Sequence, residues 1–254
     1  MLNVIIIGTG NVSHHICKAI EKTKNLKLTQ LFGRKKDLPK NFNQSISYCH
    51  NLKKIKKADF YIICVNDDAI LKISNELNVD TNSIVVHSSG STNMDQLSKH
   101  KNHGVIYPLQ TFSKSKETNF KDIPIIIEGN SSLVLNKIKK VSKLLSKKVV
   151  VCNYDQRTLI HISAVFTNNF SNYMYIIAEK ILKSQNIDVN ILYPLIKETA
   201  DKLNYLSPKE AQTGPAIRND EITIQKHLNL LKETKYFEIY NNLTKEIIKS
   251  KNEL

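Results

Sequence analysis

Short apolar runs alternate with longer amphipathic segments from the start of the chain as far as Cys152. The apolar runs predict strands at 3–7, 26–34, 46–49, 58–67, 83–91, 104–112, 123–129 and 147–152. The segments between them have the spacing of helices at 11–24, 68–77, 93–99 and 131–146. Strands that alternate with helices in this way indicate βαβ units and a parallel sheet.

The alternation ends near Asn153, and the rest of the chain is predicted to be almost entirely helical. The helices are expected at 155–183, 188–204, 219–233 and 235–250. We therefore predict two domains, an α/β domain over residues 1–153 and an all-helical domain over residues 154–254.

The first helix of the second domain is apolar on most of its faces. Its apolar residues are Leu159, Ile160, Ile162, Val165, Phe166, Phe170, Tyr173, Ile176, Ile177 and Ile181. A surface helix keeps a single apolar stripe, and a helix of this length would extend about 45 Å at 1.5 Å per residue. A lone sheet cannot cover so wide a surface, and we expect its exposed part to include Phe166, Phe170, Tyr173, Ile177 and Ile181. We therefore predict a homodimer whose partner covers this helix.

The composition is that of a globular protein with a strongly basic charge. Of 254 residues, 41% are hydrophobic, and the formal net charge at pH 7 is +14. A basic surface can bind polyphosphate chains, but these lysines are spread over helix faces and loops. No helix-turn-helix, zinc finger or aromatic stacking surface accompanies them. We therefore expect no nucleic-acid partner.

Targeting segments and metal-binding patterns are also missing from the sequence. No apolar stretch approaches the roughly 20 residues of a membrane span, and the first residues do not form a secretory leader. The four cysteines, Cys17, Cys49, Cys64 and Cys152, are far apart and have no metal-ligand spacing. We expect reduced structural cysteines, no metal, no membrane contact and a cytoplasmic location.

A glycine motif, GTGNVS at 8–13, joins the first predicted strand to the first helix. It matches G-x-G-x-x-G/A except for serine at the third position, and it lies where this dinucleotide-binding motif is found. Glycines allow the tight turn and the close approach of a diphosphate, whose charge the helix N-terminus attracts. The motif predicts a Rossmann-type sheet with cofactor contacts from Gly8, Thr9, Gly10, Asn11 and Val12. The alternative is a structural turn that binds no nucleotide.

The end of the second strand indicates which dinucleotide is bound. NAD-binding folds usually place an acidic residue there, about 20 residues beyond the motif. This chain has Gly33, Arg34 and Lys35 instead. Because a guanidinium suits a phosphate, we assign these residues to the cofactor and favour NADP over NAD. The alternative is a solvated lysine-rich loop.

Polar residues follow three further strands at the same predicted edge of the sheet. Those assigned to the cofactor are Val65, Asn66, Asp67, Ser88 and Ser89. Those assigned to a small-molecule substrate are His87, Tyr107 and Gln110. The alternatives are helix capping by Asp67 or Asp68 and ordinary loop hydrogen bonds by the serines and the glutamine.

Several motifs together resemble a known family. They are GTGNV (8–12), VNDDAI (65–70), HSSGS (87–91), YPLQTF (107–112) and TGPAIRNDEITIQKHL (213–228). The chain resembles bacterial proteins that join a Rossmann-like, NADP-oxidoreductase-type domain to a helical C-terminal domain of unknown function. It is more distantly similar to pyrroline-5-carboxylate reductases and 3-hydroxyacid dehydrogenases. The resemblance covers nearly the whole chain and implies the fold and the class of cofactor.

The resemblance also implies that the substrate meets the cofactor beside the first long helix of the second domain. The wider dehydrogenase group often has a lysine and an asparagine on that helix, but no lysine lies between Asp155 and Glu179 here. His161 is the only acid/base candidate in that stretch, and Asn168 lies two turns further along nearly the same face. We predict catalytic roles for both, with Asn169 turned away, and a core histidine is the alternative.

Arg218 is a further substrate candidate, since a guanidinium could bind a carboxylate across a dimer. Capping of the next helix by Asn219 or Asp220 is the alternative for this segment. No metal site or nucleophilic triad is apparent. The leading hypothesis is an NADP-dependent oxidoreductase that transfers a hydride to or from a small C=O or C=N metabolite. The alternative is an NADP-binding sensor or scaffold dimer without turnover.

Overall fold

The computed structural model describes residues 1–113 and 116–252, which form one sheet and eight α-helices. The strands are β1 (Leu2–Ile7), β2 (Leu26–Phe32), β3 (Tyr48–Cys49), β4 (Phe60–Ile63), β5 (Ile84–His87), β6 (Asn102–Pro108), β7 (Ile125–Gly129) and β8 (Val149–Val151). The helices are α1 (Asn11–Glu21), α2 (Asp67–Glu76), α3 (Ser132–Leu145), α4 (Tyr154–Ala164), α5 (Ser171–Lys183), α6 (Tyr193–Asp201), α7 (Glu221–Leu231) and α8 (Phe237–Asn252). A π-helical turn, Val165–Phe170, lies between α4 and α5.

The strand order places β1 near the centre of the six parallel strands. The order is β3-β2-β1-β4-β5-β6-β7-β8, and the first six strands are parallel. This is the Rossmann order, in which a crevice opens where the connections turn in opposite directions from β1 and β4. The predicted α/β class with a Rossmann-type sheet is confirmed.

The last two strands differ from the predicted parallel arrangement. β7 pairs antiparallel with β6 and parallel with β8, so both run against the first six. The described part of the connection between β6 and β7 contains only a short 3-10 turn, Phe120–Asp122. A parallel crossover usually needs a full helix, so β7 reverses direction. The segment predicted as a helix at 93–99 is likewise only a 3-10 turn, Met94–Leu97.

Both faces of the sheet are covered, which explains why its strands are continuously apolar. Val4 and Ile6 point into a core that includes side chains of α1 and α3. Ile5 and Ile7 point into a second core that includes side chains of α2. Successive strand residues thus enter opposite cores.

The four cysteines are free and buried, as the sequence predicts. Burial raises the pKa of Cys64 to about 12, so its thiol stays protonated at neutral pH. Within the described residues, no helix is long and apolar enough to cross a membrane, and no cluster of potential ligands could hold a metal ion.

The chain divides into two compact units, Met1–Asn169 and Phe170–Leu254. The predicted boundary at 153 lies earlier than this division. The difference arises because α4 is attached to the sheet unit by Arg157, whose side chain is fully buried and forms an ion pair with Glu128 of β7.

The second unit is helical and buries few side chains. Its buried residues, among those described, are Ile177, Ala216, Ile224 and Thr244. Ile177 was predicted to be exposed, and that prediction is wrong. Asp220 caps α7 by accepting hydrogen bonds from the main-chain N–H and the hydroxyl of Thr223 at 3.1 and 2.8 Å. The capping alternative proposed for this segment is therefore observed.

Candidate functional site

The glycine turn after β1 has the conformation that its sequence predicts. Gly8 has a φ of +126°, and a side chain there would overlap the carbonyl of Cys64. At Gly10 no neighbouring atom lies within 4 Å of the place a Cβ would take, so the main chain is open to an approaching ligand. Ser13 is buried and its hydroxyl donates to the Cys64 carbonyl at 3.3 Å, which joins α1 closely to β4.

The N-terminus of α1 is suited to an anion. Gly10 is the N-cap and offers no side-chain hydrogen bond, and the first turn carries no acidic residue. The free N–H groups and the positive end of the helix dipole therefore face the open side of the glycine turn. An uncapped helix N-terminus beside an open glycine fits the diphosphate of a nicotinamide dinucleotide.

A cavity of about 350 Å³ lies at the crevice beside this turn. It is lined by Gly8, Thr9, Gly10, Phe32, Gly33, Arg34, Cys64, Val65, Asn66, Asp68, Ala69 and Ile73. Seven predicted cofactor residues are therefore brought together: Gly8, Thr9, Gly10, Gly33, Arg34, Val65 and Asn66. We call this the dinucleotide cleft.

Three further predicted cofactor residues, Asn11, Val12 and Lys35, do not line the dinucleotide cleft. The Asn11 amide donates to the carbonyl of Phe112 at 2.8 Å, and Val12 packs against the core. The carbonyl of Lys35 accepts from Tyr48. None of these three side chains contributes to the lining.

The acidic pair after β4 is also used differently from the prediction. Asp67 accepts a hydrogen bond from the Ser91 hydroxyl at 2.7 Å, whereas Asp68 lines the cleft. Neither caps α2, since Asn66 is the N-cap. Asp68 thus lines the cleft in place of Asp67, and a contact of Asp67 with the cofactor stays a prediction.

The serines after β5 make loop hydrogen bonds, which was the alternative interpretation. Ser88 donates to the Ile63 carbonyl at 3.4 Å. The Ser89 hydroxyl accepts from the N–H groups of Ser91 and Thr92 at 3.1 and 3.0 Å. These bonds shape the loop after β5, and neither serine lines the cleft.

His87 does not reach a surface from which it could bind a substrate. Its side chain is completely buried at the end of β5, and its Nδ1 accepts from the Ser89 N–H at 3.2 Å. Burial, reinforced by the positive charge of Arg157, lowers its pKa to about 4. His87 is therefore a neutral core residue at pH 7, and its assignment to the substrate is withdrawn.

A second cavity, of about 360 Å³, lies within the same unit. It is lined by Tyr107, Leu109, Gln110, Thr111, His161, Ala164, Val165, Thr167, Asn168 and Asn169. The predicted residues His161, Asn168, Tyr107 and Gln110 therefore share one cavity, which we call the histidine cavity. Its lining carries amides, hydroxyls and one imidazole beside three apolar residues.

Both asparagines line the histidine cavity, although Asn169 was predicted to turn away. They lie in the π-helical turn between α4 and α5, where hydrogen bonds run from i to i+5. A π-helical turn holds more residues than an α-helical one, so neighbouring residues are rotated by a smaller angle than the 100° assumed from the sequence. Such turns are frequent at functional sites.

Tyr107 and His161 form a hydrogen-bonded pair in the histidine cavity. The Tyr107 hydroxyl lies 3.1 Å from His161 Nδ1. Burial raises the pKa of Tyr107, and the nearby negative charge of Asp67 raises it further, so the phenol remains a donor at neutral pH. When it donates to Nδ1, the ring proton of a neutral His161 is on Nε2.

Gly90 makes this pair possible, and the sequence analysis did not single it out. A Cβ at Gly90 would lie 2.8 Å from His161 Nδ1 and 2.8 Å from Tyr107 Cζ. Any side chain would therefore push the two rings apart. The sequence did contain an indication of this close approach, namely a glycine in the polar segment HSSGS directly after a buried strand.

Arg157 was also missed, and it fixes the helix that carries His161. Its guanidinium forms an ion pair with Glu128 and donates to the carbonyl of Thr92 at 2.6 Å. Because His161 lies one helical turn further along α4, these contacts determine where the imidazole is placed. The signal in the sequence was a single arginine in this helix, one turn before the histidine.

Contacts at the sheet edge link the two cavities. Asp67, at the start of α2, binds Ser91, which follows Gly90. Gly90 in turn lies where an added Cβ would meet both rings of the Tyr107–His161 pair. The carboxyl ends of β4, β5 and β6 therefore bring the dinucleotide cleft and the histidine cavity to neighbouring positions. Arg218 is exposed in the second unit, and its role as a substrate contact stays a prediction.

Comparison with known proteins agrees with this geometry. Residues 123–247 match the model of a domain of unknown function, DUF2520. A protein from Bacteroides fragilis, provisionally named an NADP oxidoreductase, is 34% identical, with a TM-score of 0.87 over 98% of each chain. The chain belongs to this family of Rossmann-like NADP oxidoreductases. The predicted family resemblance is confirmed.

More distant structures share the fold. The protein TM1727 from Thermotoga maritima is 20% identical, with a TM-score of 0.75 over 98% of this chain and 99% of that chain. A pyrroline carboxylate reductase from Plasmodium falciparum, solved with NADP bound, is 12% identical, with a TM-score of 0.59 over 97% of this chain and 98% of that chain. No protein of curated function matches the chain.

The buried ion pair of Arg157 gives a prediction about stability. Arg157→Leu should lower the free energy of unfolding by roughly 3–5 kcal/mol, because the Glu128 carboxylate, whose side chain is only 13% exposed, loses its partner. Urea denaturation followed by circular dichroism measures the loss. The double variant Arg157→Leu/Glu128→Leu should recover part of it, since neither charge is then left alone.

The matched control is Lys147→Leu, which removes an ion pair to Asp122 in which both side chains are exposed. An exposed pair adds little to stability, so this variant should unfold almost as the parent does. Equal losses for Arg157→Leu and Lys147→Leu would contradict a structural role for the buried pair.

Proposed function

We propose that this protein is an NADP-dependent oxidoreductase that transfers a hydride to or from the carbon of a small C=O or C=N metabolite. The observation that carries the proposal is the neighbouring placement of the dinucleotide cleft and the Tyr107–His161 pair. Membership of an NADP oxidoreductase family supports it, as does the name of the Bacteroides fragilis relative. The carboxyl edge of such a sheet is also where ligands of this fold class bind.

The dinucleotide cleft would hold the cofactor by two kinds of contact. The free N–H groups at the start of α1, next to Gly10, would bind the diphosphate. The guanidinium of Arg34 would bind a 2′-phosphate, for which its planar set of donors is suited. Bound NADP would supply the hydride, and the protein would supply binding and orientation.

His161 would move the proton that accompanies the hydride. Reduction of a C=O or C=N bond leaves an oxygen or nitrogen that takes up a proton, and oxidation reverses the step. The proton would be exchanged at Nε2, because Nδ1 is occupied by the Tyr107 hydroxyl. In this exchange Nδ1 would keep its own proton and donate to the Tyr107 oxygen, so that the imidazolium gives the Nε2 proton to the substrate and the neutral imidazole takes one up at Nε2 in the reverse step. Asn168, in the same cavity, would orient the polar atom of the substrate by a hydrogen bond.

The proposed cofactor preference is tested by reversing the charge of Arg34. Arg34→Glu should weaken NADP far more than NAD, because a carboxylate repels the 2′-phosphate and accepts from a 2′-hydroxyl. Loss of charge-assisted hydrogen bonds should lower the preference for NADP by about tenfold or more. Isothermal titration calorimetry with each dinucleotide gives the two dissociation constants, whose ratio is the preference.

The matched control for that experiment is Lys36→Glu, the same charge reversal at an exposed residue of the same loop. Lys36 does not line the cleft, so the preference should be nearly unchanged. A parent protein that binds neither dinucleotide at millimolar concentration would refute the proposed function.

The proton-transfer role is tested with His161→Gln. A panel of small ketones, aldehydes and cyclic imines with NADPH would first identify a substrate by loss of absorbance of the reduced nicotinamide. The variant should then lower kcat by about 10²- to 10⁴-fold, as for loss of a general acid, with dinucleotide affinity unchanged. His50→Gln, at an exposed histidine, is the control and should keep full turnover. NADP binding without turnover of any substrate would favour the sensor alternative.

We also propose that the protein is a homodimer in which the helical region is covered by a second copy. Leu159, Ile162 and Phe166 of the first unit are exposed, as are Tyr173 and Ile181 of the second. The second unit further exposes Ile191, Tyr193, Leu195, Leu203, Tyr205, Ile222 and Leu230. Soluble monomers rarely expose apolar surface on this scale, which supports burial against a partner.

Two leucines of nearly equal exposure allow a controlled test of the proposed dimer. Leu159 on α4 is 64% exposed and Leu133 on α3 is 66% exposed. Leu159→Asp should weaken self-association by about tenfold or more, as for an interface anchor, whereas Leu133→Asp should leave it unchanged. Sedimentation velocity over a dilution series measures both. A parent protein that is monomeric at micromolar concentration would contradict the proposal.

A further inference from the structure

Tyr48 reaches from the edge strand β3 to the loop that carries Arg34. Its hydroxyl donates a hydrogen bond to the main-chain carbonyl of Lys35 at 2.6 Å. The strand itself is held to β2 by main-chain bonds, among them Gly33 N to the Cys49 carbonyl at 3.1 Å. The tyrosine therefore connects a fixed strand to the residue directly after Arg34.

The same hydroxyl lies against the glycine that precedes Arg34. A Cβ at Gly33 would lie 2.6 Å from the Tyr48 hydroxyl oxygen and 2.6 Å from Thr9 Cγ2. Gly33 is thus enclosed between the glycine turn and the tyrosine, and a larger residue would displace one of them. The main chain on both sides of Arg34 is therefore fixed by Tyr48, through contact at Gly33 and a hydrogen bond at Lys35.

The Arg34 side chain has no such support of its own. In the described part of the chain its guanidinium makes no hydrogen bond or ion pair, and the residue is exposed. Its position relative to the dinucleotide cleft depends on the main chain from which it extends. A residue that fixes this main chain reduces the freedom that Arg34 loses when it binds a phosphate.

We infer that Tyr48 is a positioning residue for cofactor selectivity, which presents Arg34 to the 2′-phosphate of NADP. The inference rests on the proposed NADP-dependent function and adds a second selectivity residue to it. Tyr48 would not touch the 2′-phosphate and would act only through the loop at 33–35.

The hydroxyl is suited to this role at neutral pH. Burial raises the pKa of Tyr48, and the negative charge of Asp37 raises it further. The phenol therefore remains protonated and keeps its hydrogen bond to the Lys35 carbonyl throughout the neutral range.

The test is Tyr48→Phe, which removes only the hydroxyl oxygen. Calorimetric titrations of the full-length protein with NADP and with NAD give the two dissociation constants. The NADP constant should rise about three- to tenfold, as expected for loss of one net hydrogen bond. The NAD constant should not change, because NAD has no 2′-phosphate for Arg34 to bind.

Tyr61→Phe is a control that removes a hydroxyl with a similar hydrogen bond elsewhere in the sheet. The Tyr61 hydroxyl also donates to a lysine carbonyl, that of Lys56, at 2.9 Å, but it belongs to β4 and lies outside the dinucleotide cleft. Tyr61→Phe should leave the ratio of the NADP and NAD dissociation constants unchanged. Thermal melting of both variants confirms that the comparison is made on folded protein.

Arg34→Glu, titrated in parallel, separates failure of the inference from failure of the proposed function. If Arg34→Glu lowers the preference for NADP and Tyr48→Phe does not, the positioning role is overturned and the cofactor proposal stands. Equal weakening of NADP and NAD by Tyr48→Phe also overturns it, since that is the effect of a general structural role. If Arg34→Glu leaves the preference unchanged, the 2′-phosphate contact of Arg34 and the positioning role of Tyr48 are both overturned, whereas the proposed oxidoreductase function is refuted only by a parent protein that binds neither dinucleotide.

Discussion

The buried ion pair between Arg157 and Glu128 is the contact on which the candidate site depends. It attaches α4 to β7, and a second hydrogen bond attaches it to the carbonyl of Thr92. A buried arginine requires such partners, because an unpaired charge in the interior is very costly. With the start of α4 fixed in this way, His161 is placed one turn later against Tyr107. The guanidinium also helps to keep His87 neutral in the core.

The two histidines at this edge of the sheet illustrate how environment separates residues of the same type. His87 ends a strand in which every residue is buried, so its imidazole is enclosed and its pKa is lowered. His161 extends from a helix into an open cavity and contacts a tyrosine hydroxyl. Only the second is open to a ligand. Both are polar residues near the same edge, and the sequence analysis assigned both to the site.

Glycine is required at three positions along the same edge of the sheet, for two kinds of reason. Gly8 needs a positive φ, and its Cα lies against a neighbouring carbonyl. Gly33 and Gly90 leave room for side chains from other elements, namely those of Tyr48 and of the Tyr107–His161 pair. The first requirement is local and belongs to a known motif. The other two arise from residues distant in sequence, and they connect the cofactor loop and the proposed proton donor to the sheet.

The sequence by itself determined the elements whose signal is local. Continuous apolar runs predicted the buried strands, and the spacing around Gly8 and Gly10 predicted the turn and the cleft beside it. The tertiary structure alone decided the reversed direction of β7, the enclosure of His87, the pairing of Arg157 and the exposure of both Asn168 and Asn169. Each of these depends on a partner far away in the chain or on a change of helical hydrogen bonding. Residue spacing along one segment carries no information about such partners, because they are brought together only when the sheet and its helices pack.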